Sequence, residues 1–254
     1  MRLIDHPPLV FALTLLVLWF SALIGTSFRD RHRKVEELGL EDFGAILAAS
    51  LTLLGLIVGF SFAMAVSRYD HRRACEEAET SAIGTAYVRA DLLPIASTVR
   101  VRALLREYVD QRMAFYTVGD VQQLEQINST VERLQGELWA AVQAPALAQP
   151  TPVLALALSG MNDVSNSQEC TQAGWWNRIP LAAWGFMAAI AICCNFLVGY
   201  GAREAGAKSI LLLVMPLVMS VSFYLIAEID NPHGGLIHVQ PQNLVALSRA
   251  LHAR

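Results

Sequence analysis

The sequence predicts an all-α integral membrane protein with four transmembrane helices and a helical extramembrane domain between spans two and three. Three observations predict it. Apolar residues make up 54% of the 254-residue chain and only 16% are charged, whereas a soluble domain carries about a quarter of charged residues. The apolar residues gather into four long, almost uncharged runs, two near each end, and mean hydropathy is +0.41. Each run matches the ~20 helical residues needed to cross a hydrocarbon core of ~30 Å, and the stretch between the pairs shows no strand alternation. The expected division is 1–67 for the first transmembrane pair, 68–177 for the helical domain continuing span two, 178–229 for the second pair, and 230–254 for a C-terminal tail.

The first run, Pro8 to Phe28, has a weak n-region (Arg2 alone), too long an apolar stretch and a poor cleavage site at Ser21-Ala22-Leu23. It reads as a retained helix, not a signal peptide. The second, Phe43 to Ser67, carries small residues at Gly44, Ala48, Ser50, Gly55 and Gly59, the composition that lets helix backbones approach closely in a membrane. The third, Ile179 to Tyr200, is flanked by Trp175, Trp176 and Trp184 at one end and Tyr200 at the other, as interfacial aromatic belts require. The fourth, Ser209 to Ile229, contains Pro216, which predicts a kink that neighbouring helices accommodate.

No breaker interrupts span two beyond the membrane, so one helix is expected from about Ala45 to Leu92, stopped by Pro94. A helix over Ser97–Val118 follows, with a stripe of Val101, Leu104, Leu105, Tyr108, Val109, Arg112 and Phe115. Gly119 ends it, and Asp120 with Gln123 offers a capping box for the next. Leu124, Ile127, Val131, Leu134, Leu138 and Ala141 repeat at three and four residues, the pattern of a packed bundle. Ala144-Pro145 through Pro150-Thr151-Pro152 predicts a loop, and Thr151-Pro152 a helix start leading from Val153 toward Cys170.

Four spans place both termini and the middle domain on one side. Lys and Arg do not choose the side: Arg29, Arg31, Arg33, Lys34, Arg203 and Lys208 flank one, and Arg2, Arg68, Arg72, Arg73 and Arg178 the other. A net charge of −3 gives no basic field for nucleic acid. No P-loop, G-x-S-x-G, H-E-x-x-H or paired C-x-x-C is present, so no enzyme and no cofactor is expected. His32, His71, His233 and His238 share no helical face, which predicts no metal site. Glu76, Glu77 and Glu79 read as a solvated helix face. Four cysteines are too few for a disulfide framework; Cys193 and Cys194 lie inside an apolar run, and the spacing of Cys75 and Cys170 leaves their pairing open.

Leu56, Phe60 and Met64 lie one helical turn apart on one face of span two. In a symmetric ring they form a hydrophobic constriction that gates by dewetting; in a simple bundle they pack against other spans. Glu228 and Asp230 end span four, where an acid opposes the helix dipole. Arg68, Arg72 and Arg73 end the membrane part of span two, so the acids and bases make either structural ion pairs or an ion-binding vestibule.

Two segments carry a resemblance. One is Gly59-Phe60 through Arg68-Tyr69-Asp70-His71-Arg72-Arg73, with Glu76-Glu77-Ala78 and Ala82-Ile83-Gly84-Thr85-Ala86-Tyr87 downstream. The other is Asp230-Asn231-Pro232-His233-Gly234-Gly235-Leu236-Ile237-His238-Val239. With the four-span layout, they resemble the bacterial bestrophin-like membrane protein family (the DUF4239 domain) over nearly the whole chain. The first segment is similar, more distantly, to the pore helix of bestrophin anion channels; Gly59-Phe60 and Arg68 match, and Tyr69 stands in the place of a tryptophan. The resemblance implies a multi-pass protein of the bacterial inner membrane with cytoplasmic termini and middle domain. It also implies a homo-oligomer, a pentamer, conducting inorganic ions through a pore lined by span two, with Leu56 and Phe60 in its neck and polar Thr52 one turn before. The rival reading is a non-conducting membrane scaffold or signalling module whose helical domain binds a partner.

Overall fold

The computed structural model describes residues 6–32, 40–202, 209–232 and 236–253. Among them every regular element is helical: α1 (Pro7–His32), α2 (Leu40–Arg89), α3 (Ile95–Thr117), α4 (Val121–Ala148), α5 (Pro152–Trp176), α6 (Leu181–Gly201), α7 (Ser209–Asp230) and α8 (Gln242–His252), with a 3-10 turn at Ala90–Leu92. Four apolar stretches, in α1, α2, α6 and α7, are long enough to cross a membrane. Arg2, Arg33, Lys34, Arg203, Lys208, His233, Gly234 and Gly235 lie outside the described residues, as do the side chains of Arg31 and His32.

The chain forms two compact units: residues 1–67 with 178–237, and residues 68–177 with 238–254. Helix α2 belongs to both and is unbroken over its 50 residues, as the absence of a breaker predicts. Its last turn tightens to 3-10, and Leu93 N–H closes on Ala90 O at 3.1 Å just before Pro94.

In the first unit α1 packs against α6 and α7. Contact with α6 is close because each helix offers a glycine to the backbone of the other. A Cβ added to Gly199 would overlap the Ala22 carbonyl oxygen and lie 2.8 Å from its carbon; one added to Gly25 would overlap Phe196 O and lie 2.9 Å from Tyr200 N. Ser21 Oγ donates to Ile192 O at 2.8 Å beside this crossing. Small-residue packing was expected of span two, but Gly44, Gly55 and Gly59 meet nothing within 4 Å. Within one chain the glycines that permit close approach are on α1 and α6 instead. Phe11 sits edge-on to Tyr224 at 6.3 Å, joining α1 to α7.

The second unit is a soluble-type bundle. The α4 stripe buries Ile127, Val131, Leu134, Leu138 and Ala141, and α3 buries Val101, Leu104, Leu105, Tyr108 and Val109. Asp120 caps α4, but its carboxylate accepts from Gln122 N at 3.4 Å and not from Gln123. The loop expected from Ala144 is shorter than predicted: α4 runs through Pro145 to Ala148. A proline loses its own N–H bond and its ring crowds the carbonyl four residues earlier; at Pro145 only three more helical residues follow that disruption. Thr151 Oγ1 accepts from Leu154 N at 3.3 Å and starts α5 with Pro152 in its first turn. The segment expected as a tail contains α8, which buries Leu244 and Leu251 in the same core as α3.

Substituting Gly199→Ala is expected to lower the thermal midpoint of the detergent-solubilised protein, because overpacking a close backbone contact costs ~1–3 kcal/mol. Gly185→Ala, where a Cβ meets nothing within 4 Å, should leave it unchanged. Circular dichroism melts of both variants check this.

Candidate functional sites in the membrane helix and the bundle

The exposed side of α2 carries the candidate constriction. A residue turns about 100° from its predecessor in an α-helix. Leu54, Ser61 and Ala65 share the covered face, and on this wheel Leu56 stands about 160°, Phe60 about 120° and Met64 about 80° round from it. They are 53%, 65% and 38% exposed. Gly55 and Gly59 fall between the two faces. Thr52 donates its hydroxyl to Ala48 O at 2.8 Å, so its polar group is satisfied within its own helix. Only 6% of the apolar stretch of α2 is buried within the chain, against 28% for α1 and 44% for α7.

At the end of α7, each acid has a use within the membrane unit. Asp230 accepts from Ile179 N through both carboxylate oxygens at 3.2 Å. Helix α6 begins behind Pro180, which has no side chain to cap it. The carboxylate therefore serves the positive end of α6, which favours an anion there. Glu228 accepts from Leu236 N at 3.0 Å and from Tyr224 Oη at 2.8 Å. Arg178 donates to Asn231 Oδ1 at 3.3 Å. Of the three arginines predicted alongside these acids, Arg72 is buried, Arg68 half-buried, and Arg73 exposed and paired with Glu77 at 3.3 Å.

The acidic run on α2 is not a solvated face. Only Glu77 is exposed; Glu76 and Glu79 are buried. Glu76 accepts from Leu244 N at 3.0 Å and Asn243 Nδ2 at 2.8 Å, capping the first turn of α8. Glu79 and Arg112 form a fully buried ion pair: Nε of Arg112 donates to Oε1, and Nη2 to Oε2 at 3.2 Å. Thr171 Oγ1 donates to the same carboxylate at 2.9 Å. The guanidinium lies 4.5 Å from the Phe115 ring centre, and Phe115, Tyr116 and Trp175 stack around it. Burial works against the Arg112 charge, but the Glu79 carboxylate outweighs it and holds the arginine above its ordinary pKa. Burial, and then the Glu79 charge, push the Tyr108 and Tyr116 hydroxyls upward, with Arg112 offsetting part.

The sequence reading missed this pair. Its signal was positional: Arg72, Glu76, Glu79 and Ile83 follow at spacings of four, three and four, the period of a buried stripe. Arg112 likewise occupies a core position of α3. Cys75 and Cys170, whose pairing spacing left open, are joined by a disulfide from α2 to α5, with Cα atoms 5.8 Å apart. His71, one turn before Cys75, places Nε2 3.7 Å from its sulfur.

Four apolar membrane helices, one of them with an uncovered apolar face, and a helical extramembrane bundle define a multi-pass helical membrane protein. A family model described as the Bestrophin-like domain matches residues 8–244, and the chain belongs to that family. A crystal structure of a bacterial bestrophin homologue from Klebsiella pneumoniae is similar in fold at 13% identity. The TM-score is 0.68, and the match covers 95% of this chain and 97% of that one. A single-substitution form of the same homologue matches with TM-score 0.69 at 13% identity, covering 96% and 98%. No curated protein matches the chain by sequence.

Breaking the buried pair is expected to cost ~3–5 kcal/mol, since one charge is left without its partner. Arg112→Met and Glu79→Leu should each lower the denaturation midpoint sharply. The double variant should recover most of the loss, a coupling that a double-mutant cycle of chemical denaturation measures.

Proposed function

We propose that this protein is a homo-oligomeric ion channel of the bacterial inner membrane, with α2 of each copy lining the pore. The observation that carries this reading is the nearly uncovered apolar half of α2. Other spans bury four to seven times as large a share of their apolar stretch within the chain. Membership of the Bestrophin-like family supports it, and the resemblance to bestrophins suggests a pentamer. In such a ring the Gly55 and Gly59 flank suits contact with a neighbouring α2. Leu56, Phe60 and Met64 then face the axis. Large apolar side chains there strip water from a passing ion, and an ion losing its hydration meets a barrier of several kcal/mol.

Arg68 and Arg73 are the candidate vestibule cations at the end of this stretch. Arg72, Glu228 and Asp230 fit structural roles better, given their burial. The permeant species is an inorganic ion, an anion by resemblance.

Phe60→Ala tests the constriction. The expected result is a folded protein with raised conductance in liposome flux assays, because the narrowest ring widens. A flux unaltered by the substitution, with Phe60 against lipid or a neighbouring helix, would reject the neck, and flux no higher than that of protein-free liposomes would favour a non-conducting scaffold.

The termini and the bundle are proposed to be cytoplasmic. A cysteine introduced at Gly119, which is exposed, should resist an impermeant maleimide applied to intact cells, while one at Gly206 should react after outer-membrane permeabilisation. The reverse pattern would invert the topology.

A further inference from the structure

We propose that His71, Cys75 and Cys170 form a redox-gated site for a thiophilic d10 cation, with Zn2+ as the representative ion. The site is filled when the cysteines are thiolates and emptied when they pair. The proposal stands on the bundle's own geometry and is independent of channel function.

The three donor atoms, Nε2 or Nδ1 of the imidazole and the two Sγ atoms, lie within 4.8 Å of one another. A tetrahedral zinc ion with bonds of ~2.3 Å to sulfur and ~2.0 Å to nitrogen sets an N–S edge of about 3.5 Å and an S–S edge of about 3.8 Å. The His71 Nε2 to Cys75 Sγ distance is 3.7 Å, close to that edge. The Cys75 and Cys170 Cα atoms, 5.8 Å apart, allow the S–S edge by side-chain rotation, with both helices in place.

Each helix contributes residues one turn apart. On α2 these are His71 and Cys75. On α5 they are Cys170 and Gly174, and a Cβ added to Gly174 would lie 3.8 Å from His71 Cδ2. Gly174 therefore stands in ordinary contact distance of the imidazole, which places His71 against the α5 surface that carries Cys170. Cys75 is buried, Cys170 half-buried and His71 exposed. The arrangement gives three protein ligands, with the fourth position reached from solvent on the histidine side, as in zinc sites that keep an open position.

Binding displaces the two thiol protons to solvent. Oxidation by a small-molecule disulfide reverses it. One cysteine thiolate attacks the external S–S bond, releasing one thiolate and leaving a mixed disulfide. The second cysteine attacks the protein sulfur of that mixed disulfide and releases the other thiolate. Two electrons pass from the cysteine pair to the external disulfide, and the cation leaves because its two thiolate ligands are gone.

The test uses the full chain purified in detergent under a phosphine reductant. Zinc retained after dialysis is measured, and Co2+ is substituted for spectroscopy. The reduced protein should hold about one zinc ion per chain and its Co2+ form should show an intense near-ultraviolet thiolate charge-transfer band. Oxidised glutathione should release the metal. His71→Ala, a change at an exposed side chain that leaves both cysteines free to pair, should weaken binding by about two orders of magnitude, with the helical circular dichroism spectrum retained. The proposal is overturned if the reduced protein binds zinc no more tightly than a Cys75→Ser/Cys170→Ser form. It is also overturned if the Co2+ form lacks the charge-transfer band, or if His71→Ala binds as the parent does.

Discussion

A buried charge must be answered inside the protein, and that constraint organises the extramembrane bundle. The Glu79 carboxylate comes from α2, the Arg112 guanidinium from α3 and the Thr171 hydroxyl from α5. Three helices thereby meet at one carboxylate, and hydrogen bonds in a low-dielectric interior carry a high penalty for misplacement. The aromatic rings of Phe115, Tyr116 and Trp175 close the site. One turn earlier Glu76 imposes a similar condition on α8, whose first N–H groups have no partner of their own. The apolar core supplies most of the driving force for collapse, and the polar ladder on α2 selects which collapsed arrangement is native.

Helix α2 therefore has two surfaces of different chemistry along one unbroken length. Before Ser67 it exposes large apolar side chains on one face and glycines on a flank. After Arg68 its inward stripe carries Arg72, Glu76 and Glu79 before returning to Ile83, Ala86 and Ala90. In the membrane unit, the acids of α7 instead sit at the helix end, where Asp230 meets the residues before α6 and Glu228 meets Leu236. Charges are costly within hydrocarbon and cheaper at its margin.

Spans, the uninterrupted α2 and the α4 stripe were legible because each rests on a local rule: length of an apolar run, absence of a breaker, and a period near 3.6. Pro145 misled because a breaker read from sequence says nothing of how close the helix already is to its end. The Glu76 and Glu79 error came from counting charge and neglecting phase. Both lie on the stripe that holds Ile83, and their partners, Asn243 with Leu244 and Arg112, are 33 or more residues away. The same distance in sequence hid the approach of Cys170 to Cys75 and the closeness of α1 to α6 at Gly25 and Gly199. Candidate pore residues were legible as a face, since periodicity fixes which side chains share one.

Helix α8 has a consequence for how the protein is made. Leu244 and Leu251 complete the same core as residues of α2, α3 and α4, and Glu76 waits for Leu244 N–H. Two membrane spans, α6 and α7, are synthesised between α5 and α8. The bundle therefore remains open while the ribosome is delivering those spans to the insertion machinery. Until residues near 251 emerge, the Glu76 carboxylate lacks the α8 donors it accepts from and the α3 surface that α8 covers is exposed. Helices α3, α4 and α5 must persist in that unfinished state through two insertion events, a period in which chaperone binding or premature association with another nascent chain competes with closure.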